Sequence, residues 1–371
     1  MQGSILKFKA IQRTKKYKIM QLCFFDDIET NAKFPTTRYQ GSKLKFVDWI
    51  WDCIKDLHFT SVLDGFGGTG SVAYRMKKEG KSITYNDILT FNSIIGKALI
   101  ENSYEQLEDY EAEALMIRHN DITYPSFIED TFSQIYFTDE ENRWLDVIVT
   151  NIAHMQNEYK QAIAWFALFQ SCIIKRPYNL FHRKNLYLRM QEVDRTFGNK
   201  ATWDTPFPKH FMNFIREANN AIFSNENENI ALNKNIFDIK DKYDLVYIDT
   251  PYISEKGVGV NYFDFYHFLE GLVDYANWDQ RIDNSSKHKR LKHQESEWNS
   301  SSSIEKSFEK LISKFQDSIL VISYRSDGIP SIDRIKEILT KNSKKVTIFE
   351  SREIKYVLSK KHSSEVLIIG E

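Results

Sequence analysis

The chain carries only three cysteines in 371 residues, Cys23, Cys53 and Cys172, and no Cys-x-x-Cys pair. Those spacings exclude a zinc ribbon and a disulfide framework. Nine histidines are present, but no His-x-x-x-His pair beside an acid reads as a metal-binding helix, so no metal site is expected. No apolar run approaches the length needed to span a membrane. The basic N-terminal stretch "RTKKYKIM" is not followed by a long apolar segment, so a secretory signal is not expected. These absences describe a cytoplasmic protein with reduced thiols. A strong excess of one charge is also missing: the formal net charge is -1. Any surface for a polyanion must therefore be local.

What is abundant is aromatic character, with 26 Phe, 19 Tyr and 7 Trp. Core packing accounts for most such residues, and some are candidates for stacking on bases. The 42% hydrophobic and 27% charged content is that of a soluble globular protein. The length allows two domains or one elaborated domain.

Strand and helix patterns alternate near the start. "FTSVLDGFGGTG" reads as a buried strand running into a glycine loop, "SVAYRMKKEG" as a helix closed by Gly80, "KSITYNDI" as a second strand and "FNSIIGKALIEN" as a second helix. This alternation predicts a parallel α/β sheet. Residues 104–228 lose it and read as helical, which predicts an inserted, mainly helical region between two parts of a catalytic domain, 31–103 and 229–371. Residues 1–30 read as an N-terminal extension. Strand signals return in "NIALNKNIFDI", "DLVYIDTPY", "SILVISYRS", "KVTIFESRE" and "EVLIIGE". The polar stretch at 277–303 predicts a mobile loop.

Gly65, Gly67 and Gly70 match G-x-G-x-x-G between a strand and a helix, and the next strand ends in Asp87. Glycines admit a nucleoside-containing ligand close to the backbone, and an acid at the second strand end accepts both ribose hydroxyls. Two ligand classes fit: a dinucleotide, and S-adenosylmethionine. Asp64 sits directly before the loop. A carboxylate there would repel a pyrophosphate but pair with the amino-acid end of S-adenosylmethionine.

A second acid, Asp249, ends the apolar run "YDLVYIDTPY". A charge at a buried strand end is costly unless something binds it. The amino group of adenine is a poor nucleophile because its lone pair is delocalised into the ring. A carboxylate and a backbone carbonyl, here those of Asp249 and Thr250, accept its two hydrogens and free that lone pair for attack on a sulfonium methyl. Pro251 fixes the turn and Tyr252 is placed to stack on the base. A base within a duplex must first be flipped out.

Taken together, these residues resemble the Dam-type, alpha-group, adenine-specific DNA methyltransferases. "RYQGSK" matches the family's N-terminal aromatic-x-Gly-Gly-Lys loop through Tyr39, Gly41 and Lys43, "DGFGGTG" its cofactor loop, and "DTPY" its Asp-Pro-Pro-Tyr motif. "YNDI", "NIFDI" and "SSEVLIIGE" are weaker echoes. The resemblance covers residues 36–102 and 230–371. It implies a Rossmann-like S-adenosylmethionine-dependent sheet with an inserted target-recognition domain at 104–228. It also implies that Tyr39, Lys43, Asp64, Phe66, Gly68, Asp87 and Asp249 contact the cofactor. Tyr39 stands where Trp is more usual, and Gly65 and Thr250 each replace a proline.

For DNA, the basic-aromatic run from 175 to 189 offers Lys175, Arg176, Arg183, Lys184 and Arg189, with "KHKRLKH" as a second candidate. The expected partner is double-stranded DNA, with a cognate restriction endonuclease if the enzyme serves a restriction-modification system; a solitary or phage-borne methylase is the other setting. A monomer is expected. The competing readings are an amino-methyltransferase for cytosine or protein glutamine, a nicotinamide-dependent oxidoreductase disfavoured by Asp64, and a DNA-binding protein with a vestigial pocket.

Overall fold

The computed structural model describes residues 31–191, 200–254, 257, 259–351 and 364–371; the expected extension at 1–30 lies outside them. Residues Lys33–Glu371 form one compact unit. Its strands are β1 (Ser61–Asp64), β2 (Ser82–Asn86), β3 (Ile230–Leu232), β4 (Leu245–Ile248), β5 (Ile253–Ser254), β6 (Ile319–Arg325), β7 (Gly328–Ile329), β8 (Val346–Glu350) and β9 (Glu365–Gly370). Seven of them form one sheet in the order β3-β2-β1-β4-β6-β9-β8. The pairs from β3 through β6 are parallel, whereas β9 runs antiparallel between β6 and β8. β5 and β7 make a small antiparallel pair beside it.

β4 and β9 are buried along their whole length, and β1 at its last three residues. That explains their unbroken apolar runs: a sheet covered on both faces needs no polar alternation. One cover is helix α8 (Ile304–Lys314) with α9 (Ile332–Lys341), whose Phe308, Leu311, Ile335 and Leu339 join Val246, Ile248 and Ile322 in one core. α1 (Val47–Ile54) and α2 (Ser71–Lys78) pack on each other, and α3 (Thr90–Gly96) continues into a π-helical turn, Lys97–Glu101.

The described part of 104–228 contains helices and no strand. Its longest are α4 (Asp139–Ala153), α5 (Glu158–Ile174) and α6 (Phe207–Asn219). α5 is apolar nearly all round because it packs against α6 on one side and α3 with its π-helical turn on another.

The stretch 277–303 is not the mobile loop its polarity suggests. Trp278 and Trp298 are buried anchors near its two ends, and Ile282 bridges Leu291 while the Asp283 amide donates to the Arg290 carbonyl. Two large apolar side chains outweigh a polar average.

Candidate active site

The glycine loop is shaped by a tyrosine. Asp64 ends β1, and the Gly67 amide donates to the Asn86 carbonyl at 2.9 Å. The Tyr85 ring lies beneath, so a Cβ on Gly67 would fall 2.0 Å from it. No other residue fits there without moving the ring. The Tyr85 hydroxyl donates to the Gly68 carbonyl at 2.7 Å. Asn86 ties the neighbouring strand ends together, donating to the carbonyls of Gly65 and Lys234 and accepting the Lys234 amide.

Asp87 is fixed by three donors: the Gly68 amide at 2.9 Å, the Leu89 amide at 2.8 Å and the Asn92 side chain at 3.1 Å. Burial raises its pKa to about 6, against the pull of those bonds. Asp64 is buried too, and its Oδ1 takes no hydrogen bond. Burial, with the charges of Asp249 and Asp87, pushes it up to about 8.

Asp249, just past β4, belongs to a buried cluster. Lys43 Nζ donates to its two carboxylate oxygens at 2.7 and 2.8 Å, and lies 2.5 Å from the Tyr252 hydroxyl and 3.4 Å from Glu365 Oε1. The Tyr252 hydroxyl stands 2.9 Å from Asp249 Oδ1 and 3.1 Å from Glu365 Oε1, which also accepts from Ser323 at 2.6 Å. Burial and the Glu365 charge raise Asp249 above the usual carboxylate range, opposed by Lys43 and Tyr252. Burial alone would lower Lys43, but Asp249 and Glu365 outweigh it and hold the ammonium charged.

Asp64, Asp87 and Asp249 open onto one cleft of about 420 Å³, together with Tyr39, Lys43 and the glycine loop. Its far side is built by Tyr262 and Phe263 at the start of α7 (Tyr262–Val273) and by residues 294–299. Tyr39 is sandwiched between Tyr262 and Tyr266, at 5.5 and 4.6 Å with nearly parallel planes. Gly41 follows at φ +83, where a Cβ would strike the Tyr262 hydroxyl at 2.4 Å. Trp298 meets Phe66 of the glycine loop edge-on at 5.1 Å.

The sequence that builds this cleft is similar to those of known proteins. Residues 39–327 match the family model for D12 class N6 adenine-specific DNA methyltransferase. The chain belongs to that family. It is also similar to Type II methyltransferase M2.HphI of Haemophilus parahaemolyticus, 30% identical over 352 residues that cover 92% of this chain and 99% of the relative. Type II methyltransferase M.CviAII of Paramecium bursaria Chlorella virus 1 is 22% identical, covering 82% and 88% of the two chains. Modification methylase StsI of Streptococcus sanguinis is 24% identical, covering 81% of this chain and 46% of that protein.

The methyltransferase brings Tyr39, Lys43, Asp64, Phe66, Gly68, Asp87 and Asp249 to one cleft. Pro251 lines it as well, and Thr250 between Asp249 and Pro251 is buried. Tyr252 is not presented for base stacking in this structure. Its ring is only 8% exposed, lies under Lys43 and meets Tyr324 edge-on, because its hydroxyl is drawn into the Asp249 cluster.

The basic run divides. Lys175, Arg176 and Arg189 are buried, which corrects the expectation that they contact DNA. Lys175 and Arg189 both pair with Glu141, and Lys175 also donates to the carbonyls of Trp203 and Thr205. Arg176 donates to the carbonyls of Tyr136, Leu180 and Arg183 and to the Asn185 side chain. Only Arg183 and Lys184 are exposed. Sequence reading missed Glu365, Tyr262 and Trp298. For Glu365 a signal existed: an acid opening the wholly apolar run "VLII".

Proposed function

We propose that this enzyme takes its methyl group from S-adenosylmethionine and delivers it to adenine flipped out of duplex DNA, at one specific sequence. The observation that carries the reading is the shared cleft of Asp64 and Asp249, with Asp64 Oδ1 buried and unpartnered. A buried acid with one oxygen left unpartnered fits a ligand that brings an ammonium. The Gly67–Gly68 cradle and Asp87 fit an adjoining nucleoside. When bound, such a donor supplies an electrophilic methyl group. Asp64 then holds its amino end, and Asp87 its ribose. Asp249 and the Thr250 carbonyl accept the two N6 hydrogens of adenine and expose its lone pair. Tyr39, held in the tyrosine stack, and Phe66, held by Trp298, fix the walls.

DNA contact falls to Arg183 and Lys184, with 104–228 as the recognition region. Lys287 and Lys292, both exposed, join them from the 277–303 segment. The two segments are fastened at Tyr136, whose hydroxyl lies 2.8 Å from the Phe181 carbonyl and 2.7 Å from that of His288. Arg281 and residues 294–299 of this second segment line the cleft. Exposed cations beside the acceptor site are suited to phosphates.

Relatives named as Type II methyltransferases and a modification methylase favour service in a restriction-modification system beside a cognate endonuclease. The enzyme is read as a cytoplasmic monomer; among the described residues no helix is long and apolar enough to cross a membrane. Incubation with tritiated donor and duplex DNA tests the reading. Label in adenine supports it. Label in cytosine or protein, or donor binding without transfer, overturns it.

A further inference from the structure

A part-buried acid and a fully buried one share one buried ammonium. Lys43 is 5% exposed, Asp249 17% and Glu365 not at all. In this arrangement Lys43 bonds both oxygens of Asp249, and an adenine amino group needs one of them as its acceptor. A positive charge at that spot also opposes the positive charge that develops on N6 as the methyl arrives. Transfer is therefore favoured when Lys43 moves off Asp249. The ammonium cannot leave for solvent cheaply, since it is enclosed and would lose its counter-charge.

Glu365 offers the alternative. Its Oε1 is already 3.4 Å from Nζ, and the Ser323 hydroxyl fixes it from β6. The neighbouring acid therefore lies within a small side-chain shift of the ammonium. We propose that Glu365 is a positioning residue that receives Lys43 when adenine enters, so that Asp249 is released as a hydrogen-bond acceptor without stranding a buried charge. This role rests on the adenine-methylation reading above, and no bond is made or broken in it: Lys43 keeps its proton and changes partner.

The groups facing Asp249 are Lys43 from the loop before α1, Asp64 from β1, Tyr247 from β4, Tyr252 in its own turn, Tyr262 from α7 and Glu365 from β9. Among them Glu365 is the acid in the same cluster, and its charge holds Asp249 in a more basic state. Neutralising Glu365 has two consequences of different sign. Lys43 loses its second anion and stays on Asp249, so turnover falls. Asp249 loses a repulsive neighbour, so it ionises at lower pH.

The test is Glu365→Gln in the full-length enzyme. The expected result is a plateau kcat lowered roughly 10- to 100-fold, with the acid limb of the pH–rate profile moved to lower pH and donor affinity unchanged. Ser323→Ala, which leaves both charges and removes only the hydroxyl that orients Glu365, is expected to lower kcat a few-fold with the melting temperature nearly kept. Glu365→Gln with a wild-type plateau overturns the proposal. So does lost activity with an unmoved acid limb, for that is the mark of a structural role. Wild-type enzyme in the same assay separates the two levels: if it labels no adenine, the functional reading fails whatever Glu365 does.

Discussion

Asp64 and Asp249 stand at the ends of adjacent parallel strands and face the same cleft. β1 pairs with β4 so that Asp64 is opposite Tyr247, which leaves Asp249 two residues further on. The strand register alone thus sets the step from the donor's proposed anchor to the acceptor's. It also places Asp249 close enough for its charge to raise the proton affinity of buried Asp64.

Asp249→Ala removes a preorganised acceptor. By analogy with oxyanion-hole donors the loss is about 2.7–4 kcal/mol in the barrier, or about 10²–10³ in kcat. Single-turnover transfer with donor saturating checks it, and a melting curve near wild type separates chemistry from folding.

Asp64 gives donor binding a pH dependence. Empty, its folded pKa of about 8 keeps it protonated through neutrality. Capturing an ammonium needs the carboxylate, so binding releases a proton. Affinity is therefore expected to rise between about pH 6 and about pH 8 and then level off. Titration calorimetry in buffers of different ionisation heat measures that proton. Asp64→Asn should bind weakly with no such slope.

Gly67→Ala drives a methyl group into the Tyr85 ring. Overpacking of this kind costs roughly 1–3 kcal/mol, and here it also displaces Gly68, whose amide fixes Asp87. Both donor affinity and thermal stability should fall. Donor affinity at wild-type level would mean the cradle is not where the donor lies.

Opposite outcomes are expected within the basic run. Arg183→Glu with Lys184→Glu should weaken DNA binding and flatten the plot of log affinity against log salt by about 1.8, the equivalent of two phosphate contacts. Arg176→Met should leave that slope alone and reduce stability by something on the order of 3 kcal/mol, since it strips charged hydrogen bonds from buried carbonyls. Salt titrations and denaturant melts on the two variants distinguish them.

The strands of the large sheet and the cleft acids were legible because each acid sits where an apolar run stops, and strand ends are written locally. Side-chain exposure was not. Lys175, Arg176 and Arg189 read as a cationic face with Arg183 and Lys184, since nothing in the run says that Glu141, over thirty residues away, and a set of carbonyls enclose three of them. Tyr252 misled for the same reason: its partner Glu365 lies over a hundred residues downstream. Average polarity hides the structure of the segment at 277–303, which its two buried tryptophans decide.

Tyr136 belongs to the helical region, yet its hydroxyl meets the carbonyls of Phe181 and His288 and lies 2.9 Å from His267 on α7. Anyone seeking to give this enzyme a new target site by exchanging the segment 104–228 for a relative's would sever that knot. A chimera that folds must keep Tyr136 matched to the His288 carbonyl and the His267 ring, so the region proposed to read DNA is not a removable cassette.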